Sequence, residues 1–298
     1  MKALVISGGG SKGAFAGGVA EYLIKDLGKE YDLFLGTSTG SLLVPHLALS
    51  HIEKIKKIYT SICQSSIFDE CPFIIKKKHG AYDISINHFK VMKRLLKKKK
   101  TFGESKNLLK LIHQSISPED FEELQKSAKE VIVTVSNISL NEVEYKSVND
   151  FDYEEFCEWI WISSNYPPFM SLVNKNGCDY ADGGLGDMVP IEEALKRGAK
   201  ELDVIVLETE VNYINRLPIK NPFSLITNMV NFMMDRIENQ NIRIGKLSAR
   251  YNDATVNIYH TPSVLTTNSL VFNKEHMSQW WKQGYEYAIH KNDSNRIE

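Results

Sequence analysis

The sequence predicts an α/β protein of three layers, with a mainly parallel central sheet and helices on both faces. Three observations carry that expectation. Short apolar runs of strand length alternate along the chain with longer stretches of helical periodicity. The run Val131-Ile132-Val133-Thr134-Val135-Ser136 is rich in β-branched residues and shows no polar alternation, as a strand covered on both faces must be. Two other strand ends, after Ile6 and after Leu35, run straight into glycine-rich loops followed by helical patterns.

Taken in order, residues 3–6 form the first strand. Met1-Lys2 in front of them imitates the start of a signal peptide, but the apolar run is too short and no small-residue cleavage site follows. Residues 14–27 repeat Phe15, Val19, Tyr22 and Leu23 on one helical stripe, which Gly28 ends. A second strand covers 32–35, and a helix then runs through Leu42, Leu43 and Leu47; another follows at about 51–62. Residues 73–129 read as mostly polar and helical, with Ser117-Pro118-Glu119-Asp120 starting one helix with proline at its first position. Residues 142–147 alternate like a partner to the 131–136 strand. A Trp-rich helix at 156–163 stops before Pro167-Pro168, and 178–187 reads as a glycine-rich turn. A short helix at 191–197, a buried strand at 203–207, a long helix at 222–247, a strand at 255–259 and a closing helix at 274–289 complete the pattern. No repeat or Pro/Ser-rich linker divides the 298 residues, so one domain spanning 1–298 is expected.

Composition narrows the function classes. The formal net charge is −1, which gives no steering toward nucleic acid. No apolar stretch approaches the ~18 residues of a membrane span. The four cysteines (Cys63, Cys71, Cys157 and Cys178) form no C-x-x-C pair and no zinc-like pattern with histidine, so reduced, mostly packed thiols in the cytoplasm are expected, with no metal. Charge is uneven: residues 76–110 hold twelve Lys or Arg against two acids, a local balance of +10 that leaves −11 for the rest. Within that stretch Phe89, Met92, Leu95 and Leu96 share one helical face, and Lys97, Lys98, Lys99 and Lys100 crowd its end. The plainer reading is a helix packed on the core with a solvated tip. The functional ones are a peripheral patch for anionic lipid or a lid over the site.

The first glycine cluster, Gly8-Gly9-Gly10-Ser11-Lys12-Gly13, admits three ligands: a dinucleotide, a nucleotide phosphate, or the oxyanion of an acyl transfer. It matches G-x-G-x-x-G, but that fingerprint also needs an acid at the end of the next strand, where Leu35-Gly36-Thr37 stands. A Walker loop fails because Ala14 occupies its lysine position. The second cluster, Gly36-Thr37-Ser38-Thr39-Gly40, fits G-x-S-x-G between a strand and a helix, the setting in which a turn lifts a serine hydroxyl off the sheet toward the helix N-terminus. Acyl transfer therefore remains for the first loop, with the Gly9 and Gly10 amides on one side of the oxyanion and that of Thr39 on the other. A third segment, Asp179-Tyr180-Ala181-Asp182-Gly183-Gly184-Leu185, presents a carboxylate at Asp182, with Asp179 and Asp187 as competitors; an ordinary Asp-Gly turn is the plain alternative.

In this order and spacing, the loop GGGSKG, the elbow GTSTG and the DGG turn resemble the patatin-like phospholipase family. Ser163-Ser164-Asn165-Tyr166-Pro167-Pro168-Phe169 is similar to the family's Ser/Ala-rich segment before proline, and Pro190 with its short helix follows the DGG turn as the family's pattern has it. The resemblance runs from about residue 2 to 288 and is weakest over 73–129. It implies a patatin-like fold and hydrolysis of carboxylic esters in lipids, most readily phospholipid or lysophospholipid, with no cofactor. It implies a Ser–Asp dyad without histidine: Ser38 as nucleophile, Asp182 as base, and Gly8, Gly9, Gly10 and Gly13 in the oxyanion loop. Lys12 stands where many relatives carry arginine; it is an accessory candidate that brings positive charge but no bidentate fork. Because His260, His276 and His290 follow Asp182, a Ser–Asp–His triad is also open, with His260 its one plausible member. A non-catalytic lipid- or nucleotide-binding module that keeps the glycine loops is the competing class. Oligomeric state has no signature in the sequence.

Overall fold

A computed structural model describes residues 1–78, 81–210, 219 and 222–294. Ten strands are assigned in it: β1 (Lys2–Ile6), β2 (Leu33–Thr37), β3 (Phe73–Lys78), β4 (Ala81–Ile86), β5 (Glu130–Asn137), β6 (Glu142–Ser147), β7 (Val173–Lys175), β8 (Cys178–Asp182), β9 (Glu201–Val206) and β10 (Thr255–His260). Eight form one sheet in the order β10-β9-β1-β2-β5-β8-β7, with β6 also on β5. The pairs β10–β9, β9–β1, β1–β2 and β2–β5 are parallel, and those of β5 with β6 and β8, and of β7 with β8, are antiparallel.

Alternation along the strands builds two cores. Leu4, Ile6, Phe34, Val131, Val133 and Ile205 point to one, whereas Ala3, Val5, Leu33, Leu35, Ile132 and Val204 point to the other. The first is covered by the helices Gly13–Glu21, Thr39–Ala48, Ile52–Tyr59, Tyr153–Ser163 and Lys274–Ser294, whose Phe15, Leu43, Ile55, Phe156 and Trp281 are buried in it. The second is covered by Ile191–Lys196 and the long Pro222–Tyr251, through Ile191, Ala194, Met234 and Ile242. The central strands β1, β2 and β5 thus bury apolar residues on both faces, which is why 131–136 shows no alternation.

One detail of this sheet positions the site. Parallel β2 pairs with residues 130–134 of β5 and ends at Thr37 opposite Thr134; antiparallel β8 pairs with residues 135–137 and ends at Asp182 opposite Val135. β6 occupies the other edge of β5. Two strands running toward each other therefore terminate against neighbouring residues of the same strand.

Three elements differ from the sequence expectation. Residues 73–86, read as helical, form the antiparallel β3–β4 hairpin, with Phe73 opposite Ile86 and Ile75 opposite Ile84; the lysines that follow Ile75 hide a β-branched, alternating segment. Residues 178–187 are a strand followed by a 3-10 turn, Gly183–Leu185, rather than a turn throughout. The helix expected over 14–27 is α-helical at Gly13–Glu21 and widens to a π-turn at Tyr22–Asp26. The start at Ser117 forms as expected: its hydroxyl accepts the Asp120 N–H at 3.1 Å while Asp120 accepts the Ser117 N–H at 2.8 Å, a capping box.

Candidate active site

Ser38 joins β2 to the helix Thr39–Ala48 with φ 54° and ψ −119°. A side-chain-bearing residue held there carries roughly 1–3 kcal/mol of backbone strain, so its surroundings must enforce the bend. They do so first by close approach: a Cβ on Gly36 would lie 2.4 Å from the Gly40 carbonyl carbon, and one on Gly40 would lie 2.2 Å from the Ile6 carbonyl oxygen. They do so also by hydrogen bonding. The Ser38 N–H donates to Ser163 Oγ at 3.0 Å, and the Ser38 carbonyl accepts from Ser164 Oγ at 3.0 Å and from the Ser41 N–H at 2.9 Å. Ser163 Oγ is itself bonded to Ser41 Oγ at 2.7 Å. Local motif reading left Ser163 and Ser164 without a task; both prove to be props of the elbow.

Because β2 and β8 end face to face, Ser38 meets Asp182. Ser38 Oγ donates to Asp182 Oδ2 at 2.6 Å, and the Gly184 N–H donates to Oδ1 at 2.8 Å. The Asp182 N–H donates to the Asn165 carbonyl at 2.9 Å, tying the segment Ser163–Asn165 to both residues. Asp182 is 1% exposed. Burial pushes its carboxyl up to about 7, against the two hydrogen bonds that favour the charged form. The competing acids point elsewhere: Asp179 is half-buried and paired with Lys100 and Asn174, and Asp187 accepts the Tyr145 hydroxyl at 2.6 Å.

The first glycine loop is a 3-10 turn, Gly10–Lys12, leading into Gly13–Glu21. Gly10 has φ +56°, and a Cβ there would lie 2.3 Å from the Ser269 carbonyl oxygen, so glycine is required on both counts. The amides divide into two groups. The Gly8 N–H donates to the Met188 carbonyl at 3.2 Å and the Gly13 N–H to the Gly10 carbonyl, so both are occupied. The Gly9 and Gly10 N–H groups head the turn, and that of Thr39 heads its helix, where no preceding carbonyl is within reach.

Gly8, Gly9, Gly10, Lys12, Ser38, Thr39 and Asp182 line one cavity of about 250 Å³. One wall, with Leu42, Tyr59, Ile62 and Leu108, comes from the first core; Met188 and Met234 come from the second. A second, smaller space of about 20 Å³ adjoins behind Leu42, Tyr59, Ile62 and Leu108. Lys12 is buried and ion-paired with Glu208, and Glu208, Asp235 and Glu238 line the cavity too. No sequence motif pointed to these three acids: Glu208 follows β9, and Asp235 and Glu238 lie one turn apart on the long helix. His260 does not line the cavity; its Nδ1 lies 3.3 Å from the Glu208 carbonyl oxygen. Among the described residues no group of three His, Cys, Asp or Glu has the geometry to hold a metal ion.

The basic helix departs from the plainer expectation. In His88–Leu96 the buried residues are Val91 and Arg94, whereas Phe89 and Leu96 are 80% and 79% exposed, and Met92 and Leu95 are also exposed. Arg94 turns inward because Glu70, Glu104 and the Thr101 carbonyl hold its guanidinium. Lys97, Lys98, Lys99 and Lys100 are exposed, with Lys100 paired to Asp179 at 3.0 Å. The side chains of Lys77 and Lys78, part of the basic count, lie outside the described residues. The long helix carries a second exposed apolar group, Leu225, Ile226, Met229, Phe232 and Met233, next to Asn231 and Met234 of the cavity. No helix among the described residues is long and apolar enough to cross a membrane. The thiols are all free; Cys157 is buried and Cys71 and Cys178 are half-buried, while Cys63 is exposed, an exception to the expectation of mostly packed cysteines.

Comparison with known proteins agrees with this architecture. VipD from Legionella pneumophila superposes with a TM-score of 0.55 at 17% sequence identity, over 98% of this chain and 67% of that one, a likeness of fold. No curated protein matches the sequence. The family model of the patatin-like phospholipases matches residues 4–195, which hold the glycine loop, the elbow and the DGG turn. The chain belongs to the patatin-like phospholipase family, a family of lipid acyl hydrolases.

Proposed function

We propose that this protein hydrolyses carboxylic esters of phospholipids or lysophospholipids with a Ser38–Asp182 dyad. The observation that carries the reading is the 2.6 Å hydrogen bond from Ser38 Oγ to Asp182 Oδ2 inside a cavity that Gly9, Gly10 and Thr39 also line. In the ionised state Asp182 takes the Ser38 proton as Oγ attacks the ester carbon. The carbonyl oxygen becomes an oxyanion, which the N–H groups of Gly9, Gly10 and Thr39 stabilise; each such donor contributes about 2.7–4 kcal/mol. Collapse breaks the ester C–O bond, and the leaving alcohol takes the proton from Asp182. Water then gives its proton to Asp182, attacks the acyl-serine, and releases the fatty acid and the Ser38 hydroxyl.

Gly8 and Gly13, whose amides are occupied, serve by leaving space: a Cβ at Gly8 would lie 2.4 Å from Met188 Sδ, and one at Gly13 would lie 2.2 Å from Thr39 Oγ1. The acyl chain lies along Leu42, Tyr59, Ile62 and Leu108. Peripheral contact with a lipid surface runs through Lys97, Lys98, Lys99 and Lys100 and the exposed apolar face of His88–Leu96, a combination that suits anionic interfaces. The single-domain reading of 1–298 and a cytoplasmic location belong to this proposal. The test is labelling by a fluorophosphonate and release of fatty acid from a mixed lipid extract: wild type does both, and Ser38→Ala does neither. An unlabelled wild type points to the binding module instead.

A further inference from the structure

We propose that the carboxylate wall of the cavity, formed by Glu238 and Asp235 beside the Lys12–Glu208 pair, is a subsite for a positively charged head group, so that esters bearing an ammonium or quaternary ammonium group are the favoured substrates. This deepens the lipid-ester reading above and rests on it.

The inference begins with Glu238. It lies on the helix Pro222–Tyr251, is 7% exposed and lines the cavity. Its carboxyl forms no hydrogen bond or ion pair with the described residues, so a buried acid faces the empty volume without a partner. Burying an ionisable group that way is costly unless something arrives to pair it. Burial, with the negative charge of Glu208 behind it, pushes the carboxyl up to about 8.

The remaining charges do not cancel this. Lys12 is the one Lys or Arg among the described residues lining the cavity, and its ammonium is engaged by Glu208. Asp235, one turn before Glu238 and exposed at the rim, adds a further carboxyl to the same wall. On this wall one cation therefore stands against three acids, with Asp182 a fourth acid on the Ser38 side of the cavity. A sulfate or phosphate placed against this wall would meet acidic groups with no free cation to pair it, whereas an organic cation draws Glu238 into its ionised form and pairs it together with Asp235; the phosphodiester of a phospholipid stays outside the wall. A bare metal ion does not fit, because no three carboxyl, imidazole or thiol groups among the described residues converge on one point. A lipid head would then sit between the second core's long helix and the glycine loop, with its acyl carbonyl toward Ser38.

The experiment uses full-length Ser38→Ala, which cannot turn over, and titration calorimetry with decyltrimethylammonium and with decyl sulfate below their micellar concentrations. The two probes share a chain and differ in head charge. The expected result is saturable binding of the cation at least about tenfold tighter than the anion, a preference that Glu238→Gln and Asp235→Asn together reduce to within about threefold. Asp235→Asn alone, at an exposed position, should already weaken the preference and keeps the test sound if the buried variant folds poorly. Equal affinity, tighter binding of the sulfate, no saturable binding of either probe, or a preference that survives both substitutions overturns the proposal. The hydrolase reading stands or falls separately, on fluorophosphonate labelling of Ser38.

Discussion

Ser38 and Asp182, 144 residues apart in the chain, meet because β5 holds the ends of two opposed strands side by side. Among the described residues the serine hydroxyl and one backbone amide are the hydrogen bonding this carboxylate has against its burial. The predictions below follow from that arrangement and from what surrounds it.

In the proposed mechanism Asp182 acts as a base when ionised, and burial holds its carboxyl up at about 7 rather than near 3.8. Hydrolysis of a soluble short-chain ester should therefore rise with pH, about tenfold per unit below that value, and level off above it. A rate independent of pH between 5 and 8 would contradict the assignment. The same displacement sets a stability difference. The folded-state value lies above the unfolded one, so the native state is penalised increasingly as pH rises from about 4 to 7, and fully above that. Asp182→Asn should abolish activity yet melt several degrees higher than wild type at pH 8, with the gain vanishing near pH 4.

Gly10→Ala should cost about 10²–10³ in kcat with KM little changed, since a misplaced loop withdraws an oxyanion donor. The φ of +56° and the Ser269 carbonyl 2.3 Å from the new Cβ leave no room for the methyl group without moving that loop. Steady-state kinetics beside a far-ultraviolet spectrum separates this from unfolding.

His260→Ala should leave ester hydrolysis within a few-fold of wild type, because the imidazole lies against the Glu208 carbonyl and outside the cavity. Ser38→Ala provides the scale. A comparable loss in both variants would reinstate a triad.

Replacing Lys97, Lys98, Lys99 and Lys100 by glutamine, or Phe89 and Leu96 by serine, should weaken binding to vesicles containing anionic lipid. Turnover of a soluble ester should be unaffected. Each lysine near such a surface contributes about 1 kcal/mol, so the quadruple change should show clearly in a sedimentation assay. The lysine effect should shrink at high salt, whereas the effect of the apolar pair should persist.

Much of the fold was legible because its strands are buried on both faces: 131–136 announces itself by composition alone. The hairpin at 73–86 was not, since its lysines mask the alternation of Phe73, Ile75, Ile84 and Ile86. The helix at 88–96 shows a different limit. Periodicity correctly placed Phe89, Met92 and Leu96 together, but it does not say which way the shared face turns, and Arg94 settled that by binding Glu70 and Glu104. For the site, glycine patterns marked Ser38, Asp182 and the first loop because close backbone approach needs glycine wherever it occurs. The segment holding Ser163 and Ser164 stood out by its resemblance but not by its task, and the acids Glu208 and Glu238 carry no local signature; the partners of all four are distant in the chain, and folding reveals them.

The head-on arrangement of β2 and β8 has a consequence for how such a site tolerates insertion and deletion. Side chains alternate along a strand, so sliding β8 by a single residue against β5 would send the Asp182 carboxylate through to the opposite layer. Small errors of length in these two strands therefore cannot be absorbed as a slightly longer serine–carboxylate distance. The count of residues from the β7–β8 turn to Asp182 therefore works as an all-or-none ruler.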